Sequence, residues 1–256
     1  MARKRLLKSI ESDFELVYVA QLCLSWEALH HQYIKVKNLD TSGVRNRRFH
    51  DNVAGEFQRF QVLLERFLED ERYEGKRVWN FVRGRFALKS LLQVPKLSGF
   101  VAEENDEEVE RNVKQVLRAI EKCTEAFWVL VQTDRNQKLW WKLTTSLWSF
   151  SPVEDPRDVD LLSHLTRNLQ KKEIWFKDFQ GKKKCRFRKG IRPVVEESEK
   201  MEMLFTMIDM KLVSRVLQMS AVSSSQLKWC QEKLDSIHFN KGKLFRTGSC
   251  RLFPDS

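Results

Sequence analysis

The most concentrated chemistry in this sequence is a run of positive charge, QGKKKCRFRKGIRP, from Gln180 to Pro193. Half of its residues are basic and none is acidic. Clustered Lys and Arg side chains contact nucleic-acid phosphates, act as nuclear import signals, or keep a segment between helices in solvent. The spacing of the charges leaves all three interpretations open. The basic residues are Lys182, Lys183, Lys184, Arg186, Arg188, Lys189 and Arg192.

A second constellation consists of Cys23, Glu27 and His30, whose spacings of four and three place them on one helix face. A thiolate beside an imidazole is a nucleophile, and all three residue types bind zinc. One helical turn rarely supplies a whole site, and a structural Cys usually behaves as a small apolar side chain. We therefore favour a partly buried Cys beside a Glu–His pair at the surface.

Other catalytic signatures are missing from the sequence. The patterns H-E-x-x-H, G-x-S-x-G, G-x-x-x-x-G-K-[ST] and G-x-G-x-x-G do not occur. His50, His164 and His238 stand alone. We predict that the protein is not an enzyme and that it has no catalytic residues, no cofactor and no metal site.

The segment WNFVRGRFALK, residues 79–89, interleaves three aromatic side chains with three cations. Stacking on aromatic rings together with guanidinium charge is one way to hold single-stranded nucleic acid. The RNA-recognition-motif signature fails here because Arg85 stands where an aromatic residue should follow Gly84. We interpret the aromatic residues Trp79, Phe81 and Phe86 as core and the Arg residues as its solvated edge.

The net charge is confined to short segments. Without the seven cations above and those of Arg3, Lys4, Arg5 and Lys8, the formal charge of +11 falls to zero. Five widely spaced cysteines with no C-x-x-C pair are typical of a reducing compartment. No secretory segment and no apolar run of bilayer length is found. We expect a soluble intracellular protein, in the cytoplasm or the nucleus, without membrane association.

Apolar residues recur every three or four positions along most of the chain, which predicts an all-α fold. Asp155 before Pro156 marks one helix start, Ser223 with Gln226 forms a capping box at another, and Gly181 is expected to end a helix. We predict one domain of long antiparallel helices with aromatic-rich packing. Its parts are a hairpin of residues 12–37 and 49–73, central helices over 108–180, an exposed basic linker at 181–195, a C-terminal helical pair at 196–238, and coil at 239–256.

Several strings are distinctive, among them LVYVAQLCLSWEALHHQY, LLQVP, PVEDPRD and KLVSRVLQMSAVSSSQLKWCQEKLD. With them the chain, from about Glu15 to Phe253, resembles a plant-specific family catalogued as a domain of unknown function. Some members of that family carry a large-subunit ribosomal protein name in gene models, which implies a connection to RNA. The resemblance supplies no catalytic or ligand-binding residue.

These observations favour a non-enzymatic helical scaffold or protein-interaction module of plant cells, whose partner is another protein. The alternative is a nucleic-acid-associated protein, bound to RNA or a ribosome, that contacts phosphates through Lys182–Arg192. An enzyme is the weakest of the three hypotheses. The sequence leaves the partner, the oligomeric state and the process open.

Overall fold

The computed structural model describes residues 2–41, 47–50, 52–74, 77–97, 100–102, 106–134, 153–188, 197–240, 243–247 and 252–254. Most of these residues are helical, so the predicted all-α class is confirmed. The helices are α1 (Ala2–Thr41), α2 (Val53–Glu74), α3 (Arg77–Ala87), α4 (Asp106–Thr133), a 3-10 turn (Pro156–Asp158), α5 (Val159–Arg188), α6 (Glu197–Leu217) and α7 (Ser224–Asp235). The short strands are β1 (Arg47–Phe49), β2 (Phe100–Ala102), β3 (Ile237–Asn240) and β4 (Lys243–Arg246).

Backbone contacts group these elements into two compact units, a subdivision that the sequence did not predict. The central unit is Ala20–Asp134, and the terminal unit combines Met1–Val19 with Arg135–Ser256. Helix α1 contributes its first part to the terminal unit and the remainder to the central unit.

The core of the central unit is built from helix stripes that the sequence predicted. The α1 stripe of Leu22, Trp26, Leu29, Tyr33 and Val36 is buried, as is the α2 stripe of Val53, Phe57, Phe60, Leu64 and Phe67. The Trp26 ring stacks on Phe127 of α4 at a centroid distance of 5.9 Å.

Helix α2 lies against α4, where Cys123 Sγ donates to the Phe57 carbonyl at 3.0 Å. Beside α4, strands β1 and β2 pair antiparallel with Phe49 opposite Phe100. The predicted hairpin of the first two long helices stays a prediction. The contacts described here place α2 against α4 and do not test its pairing with α1.

The terminal unit packs α5 against α6 and α7 and closes with the hairpin β3–β4. Phe239 of the hairpin meets Phe176 and Phe179 of α5 edge-on, at 6.4 and 6.3 Å between centroids. The two predicted helix starts are confirmed: Asp155 accepts from the Arg157 N–H, and Ser223 forms a capping box with Gln226.

Helix α5 does not end at Gly181 as predicted but continues to Arg188, so the first part of the expected basic linker is helical. A glycine inside a helix costs only about 1 kcal/mol relative to alanine. Burial of Phe176 and Phe179 just before Gly181 outweighs that cost. Cations beyond the glycine also suit the negative end of the helix dipole.

The prediction of coil at 239–256 is wrong where β3 and β4 pair. Four-residue strands are too short for their alternation to stand out in a sequence. The pattern exists nonetheless, because Ile237 and Leu244 are buried while His238 and Phe245 are exposed. Further along, the buried Phe253 meets Trp229 edge-on at 5.1 Å between ring centroids.

A buried ion pair ties the first part of α1 to the end of α6. Arg215 donates to Glu15 Oε1 at 2.9 Å, and the Ser220 N–H donates to Glu15 Oε2 at 2.9 Å. Both charged side chains are less than a tenth exposed. Burial alone would raise the pKa of Glu15, but the charge of Arg215 and the bonds from Ser220 and Arg215 outweigh it and lower that pKa.

We predict that Glu15→Gln lowers the free energy of unfolding by about 3 kcal/mol at neutral pH, because the buried Arg215 loses the carboxylate to which it donates. A carboxyl group with a lowered folded-state pKa stabilises the fold above its ordinary pKa of 4.5 and loses that effect as pH falls. The difference between wild type and variant should therefore shrink in acid. Urea unfolding followed by circular dichroism at several pH values measures it.

The matched control is Glu56→Gln, which breaks the exposed pair of Glu56 with Arg59. It should cost less than about 0.5 kcal/mol. Equal losses for the two variants, or a Glu15 effect that does not change with pH, would contradict the assignment.

Candidate interaction surface

Helix α3 is apolar on two sides, and only one of them is buried. Phe81 is 1% exposed and packs into the central unit, whereas Trp79 is 38% exposed and Phe86 is 86% exposed. Trp79 and Phe86 are seven positions apart, hence two turns apart on the same face. Arg83 lies between them, one turn from each, and is exposed as well.

The start of α3 is fixed to the end of α4 by a buried arginine. The Arg77 guanidinium donates to the Leu130 carbonyl at 2.5 Å and to Thr133 Oγ1 at 2.9 Å. The Asp134 carboxylate also lies 3.9 Å from this guanidinium. A cation at the carbonyl end of a helix satisfies groups that have no partner within that helix.

The segment after α3, residues 88–97, is bound to α1 and is called the strap here. The Leu92 carbonyl accepts hydrogen bonds from Ser25 Oγ and, at 2.9 Å, from Gln21 Nε2. Further along, Gln32 Nε2 donates to the Pro95 carbonyl. The three polar residues of α1 are spaced by four and seven positions and therefore share one side of that helix.

Two unusual backbone features allow the strap to fold back. Leu92 adopts a φ of 59°, in the left-handed region that ordinary residues avoid at a cost of about 1–3 kcal/mol. Its side chain is buried at 1% exposure, which offsets that cost. At Gly84 a Cβ atom would lie 2.8 Å from Leu91 Cδ2, so glycine lets the Leu91 side chain of the strap lie against α3 without a shift.

The same region is positively charged. Residues 75–102 contain six Lys or Arg and no Asp or Glu. Arg85 donates to the carbonyls of Lys89 and Leu91 and thereby closes the end of α3. Lys89 and Lys96 are exposed. We define the α3 surface as Trp79, Arg83, Phe86, Leu88 and Lys89, of which Leu88 is 47% exposed.

The interpretation of residues 79–89 from sequence was right for Phe81 and wrong for Trp79 and Phe86. A helical projection of the sequence reveals this difference in burial, because Phe81 stands two positions from Trp79 and so points to the opposite side of the helix. One helix with aromatic residues on opposite faces cannot bury both against a single core.

The basic cluster is described only in part. The backbone of Lys182, Lys183, Lys184, Arg186 and Arg188 belongs to the last two turns of α5. Lys189 and Arg192 lie outside the described residues. Its role as linker, import signal or phosphate contact stays a prediction.

Cys23, Glu27 and His30 share a face of α1, but Cys23 and Glu27 are buried at 0% and 2% exposure. The His30 ring lies 5.5 Å from the Trp26 ring, centroid to centroid. In the described part of the chain, no three His, Cys, Asp or Glu side chains are grouped to hold a metal ion. Burial also raises the pKa of Cys123 to about 12 and raises that of Cys230.

The fold and the surface thus define a mostly helical protein with an aromatic, basic patch on a short helix. The chain matches the family model described as "Protein of unknown function (DUF1666)" over residues 12–254, and it belongs to that family. Neither the curated proteins nor the solved structures give a match to the chain. Restriction to plants and a ribosomal role stay predictions.

Across the residues that the structure describes, no helix is both long enough and apolar enough to cross a bilayer.

We predict that Cys23 resists alkylation by iodoacetamide in the folded protein, because the thiolate is the reactive form and this sulfur is out of reach of solvent. Cys230, equally buried, serves as the internal comparison. Peptide mass spectrometry should find both modified only after unfolding in urea. Rapid native modification of Cys23 alone would restore it as a candidate nucleophile.

Proposed function

We propose that this protein is a non-enzymatic helical interaction module that binds another protein through the α3 surface. The observation that carries the proposal is the Phe86 side chain, 86% exposed and two turns from the exposed Trp79. Single exposed apolar residues are common and need no explanation. Two aromatic residues on one helix face, with an arginine between them, have the composition of binding hot spots.

The rigidity of the supporting structure favours binding. Ordering a loose surface on association costs about 0.5–1.5 kcal/mol for each long side chain that is immobilised. Here Arg77 holds one end of α3, and Ser25 and Gln21 hold the strap beyond its other end. An aromatic side chain also has few torsions to freeze. Such a surface loses little conformational entropy when a partner docks.

The test places the photoreactive residue p-benzoylphenylalanine at position 86 in one sample and at position 62 in another. Val62 is a matched control, since it is 42% exposed on α2. We expect position 86 to crosslink a specific protein in cell extract and position 62 to give none. The captured protein is then produced in pure form, and its affinity is measured by calorimetry.

In that binding assay Phe86→Ser and Trp79→Ser should each weaken affinity at least tenfold, about 1.4 kcal/mol, while Val62→Ser leaves it unchanged. Because Phe86 contributes little to the core, Phe86→Ser should leave the unfolding transition unchanged. Equal crosslinking at both positions, or unaltered affinity in the serine variants, would refute the proposed function.

The second candidate function is contact with nucleic acid through the basic cluster. Its support is the helical backbone that carries Lys182 to Arg188 past Gly181, since a basic helix can follow a line of phosphates. Nuclear import through the same residues is the companion hypothesis and bears on whether the protein resides in nucleus or cytoplasm.

We predict that, if the cluster contacts phosphates, neutralising all seven of its cations abolishes binding to mixed RNA and DNA. For single strands the logarithm of affinity should fall with the logarithm of salt by about 0.7 for each phosphate contact. The matched control neutralises Arg3, Lys4, Arg5 and Lys8 instead and should bind as wild type. If neither wild type nor variants bind, the nucleic-acid hypothesis is wrong, and the location of the tagged variant tests import.

A further inference from the structure

We propose that the occupant of the α3 surface is an acidic amphipathic helix of the partner protein. This inference rests on the proposed function and specifies its partner by chemistry. The face that α3 presents reads aromatic, cation, aromatic over two turns, through Trp79, Arg83 and Phe86. These seven positions span about 10.5 Å along the helix axis.

The geometry of a helix face determines the form of the partner. The main-chain groups in the middle of α3 are bonded within the helix and offer no strand edge for an incoming chain. A partner must therefore satisfy its own backbone, which an α-helix does. Two helices pack with their axes about 8–10 Å apart, side chains of one filling the grooves of the other.

The charge of the region determines the sign of the partner. Residues 75–102 contain no Asp or Glu, the Asp134 carboxylate near Arg77 is only 8% exposed, and Lys89 follows Phe86 in the α3 surface. At physiological salt, charges still act over about 8 Å. Like charges on a partner would be repelled, so an acidic face fits and a basic face does not.

Together these constraints predict a sequence pattern for the partner helix. Apolar residues at positions i and i+7 of the partner meet Trp79 and Phe86. An Asp or Glu at i+3 or i+4 then meets Arg83, and further acidic residues face Lys89. Charged groups at the rim steer the encounter, while the aromatic contacts supply the hot spots.

Single-stranded nucleic acid fits this surface less well. Base stacking needs open ring faces in succession, and Trp79 is only 38% exposed. A bilayer surface also fits less well, because amphipathic helices that lie in membranes use a wide apolar face. In helix α3 one of the two apolar sides, the side with Phe81, is already buried in the core.

The experiment uses the full chain and a fluorescein-labelled synthetic helix of roughly 18 residues, about 27 Å long. The probe carries Leu at i, i+7 and i+14, Glu at the i+3 and i+4 positions, and Ala and Gln elsewhere. One twin replaces every Glu by Lys, and the other replaces every Leu by Ala. Fluorescence anisotropy should show that the probe binds at least tenfold more tightly than either twin.

Variants locate the binding on the chain. Phe86→Ser and the pair Arg83→Glu with Lys89→Glu should each weaken binding of the probe at least tenfold, and Val62→Ser should not. The charge-reversed chain should gain affinity for the Lys twin, which a merely unfolded variant cannot do. Circular dichroism checks that each variant is folded.

Other occupants appear as distinct results. Binding of oligouridylate or phosphatidylserine vesicles that is lost in these variants, without probe binding, overturns the inference. A change in oligomeric state on Phe86→Ser does so too, because the occupant would then be a second copy. If the crosslinked protein still depends on Phe86 while the probe fails to bind, the acidic helix is refuted and the proposed function stands.

Discussion

The position of the α3 surface depends on one backbone carbonyl, that of Leu92. Its oxygen accepts from Ser25 and Gln21, and its residue is held in the left-handed region at a φ of 59°. A buried carbonyl without a donor would cost about 1–3 kcal/mol, so these two bonds and the backbone turn support each other. The turn sends the strap back over α1, and Gly84 leaves the room for Leu91 beside α3.

Helix α1 accordingly performs two tasks with two sets of residues. Its apolar stripe, including Trp26 and Leu29, builds the core of the central unit. Its polar residues on a neighbouring side bond the strap, whose irregular backbone would otherwise be buried without partners. Gln32 makes two bonds to the strap, since its side-chain amide both donates to the Pro95 carbonyl and accepts from the Leu97 N–H.

Sequence reasoning succeeded where the information is local. The α1 and α2 stripes follow from apolar spacing, and the caps at Asp155 and Ser223 follow from short motifs. It failed where contacts between residues far apart in the sequence determine the structure. Gly181 stays helical because nearby aromatics are buried, the β3–β4 pairing joins very short strands, and the bonds of the strap link residues about seventy positions apart. No periodicity encodes such pairings, because side-chain partners are chosen by the fold.

The composition of α3 serves the fold on one side and, on the other, fits the binding role proposed above. Folding alone is served by Phe81 and Arg77, which bury one side and cap α4. Phe86 adds little to that, since burying its ring would be worth about 1.5–3 kcal/mol and most of the ring is in solvent. A polar residue at that position would keep the fold and lower the tendency to aggregate. An aromatic residue in solvent, two turns from Trp79 and one turn from Arg83, is therefore a feature that stability does not require and that the proposed binding would use.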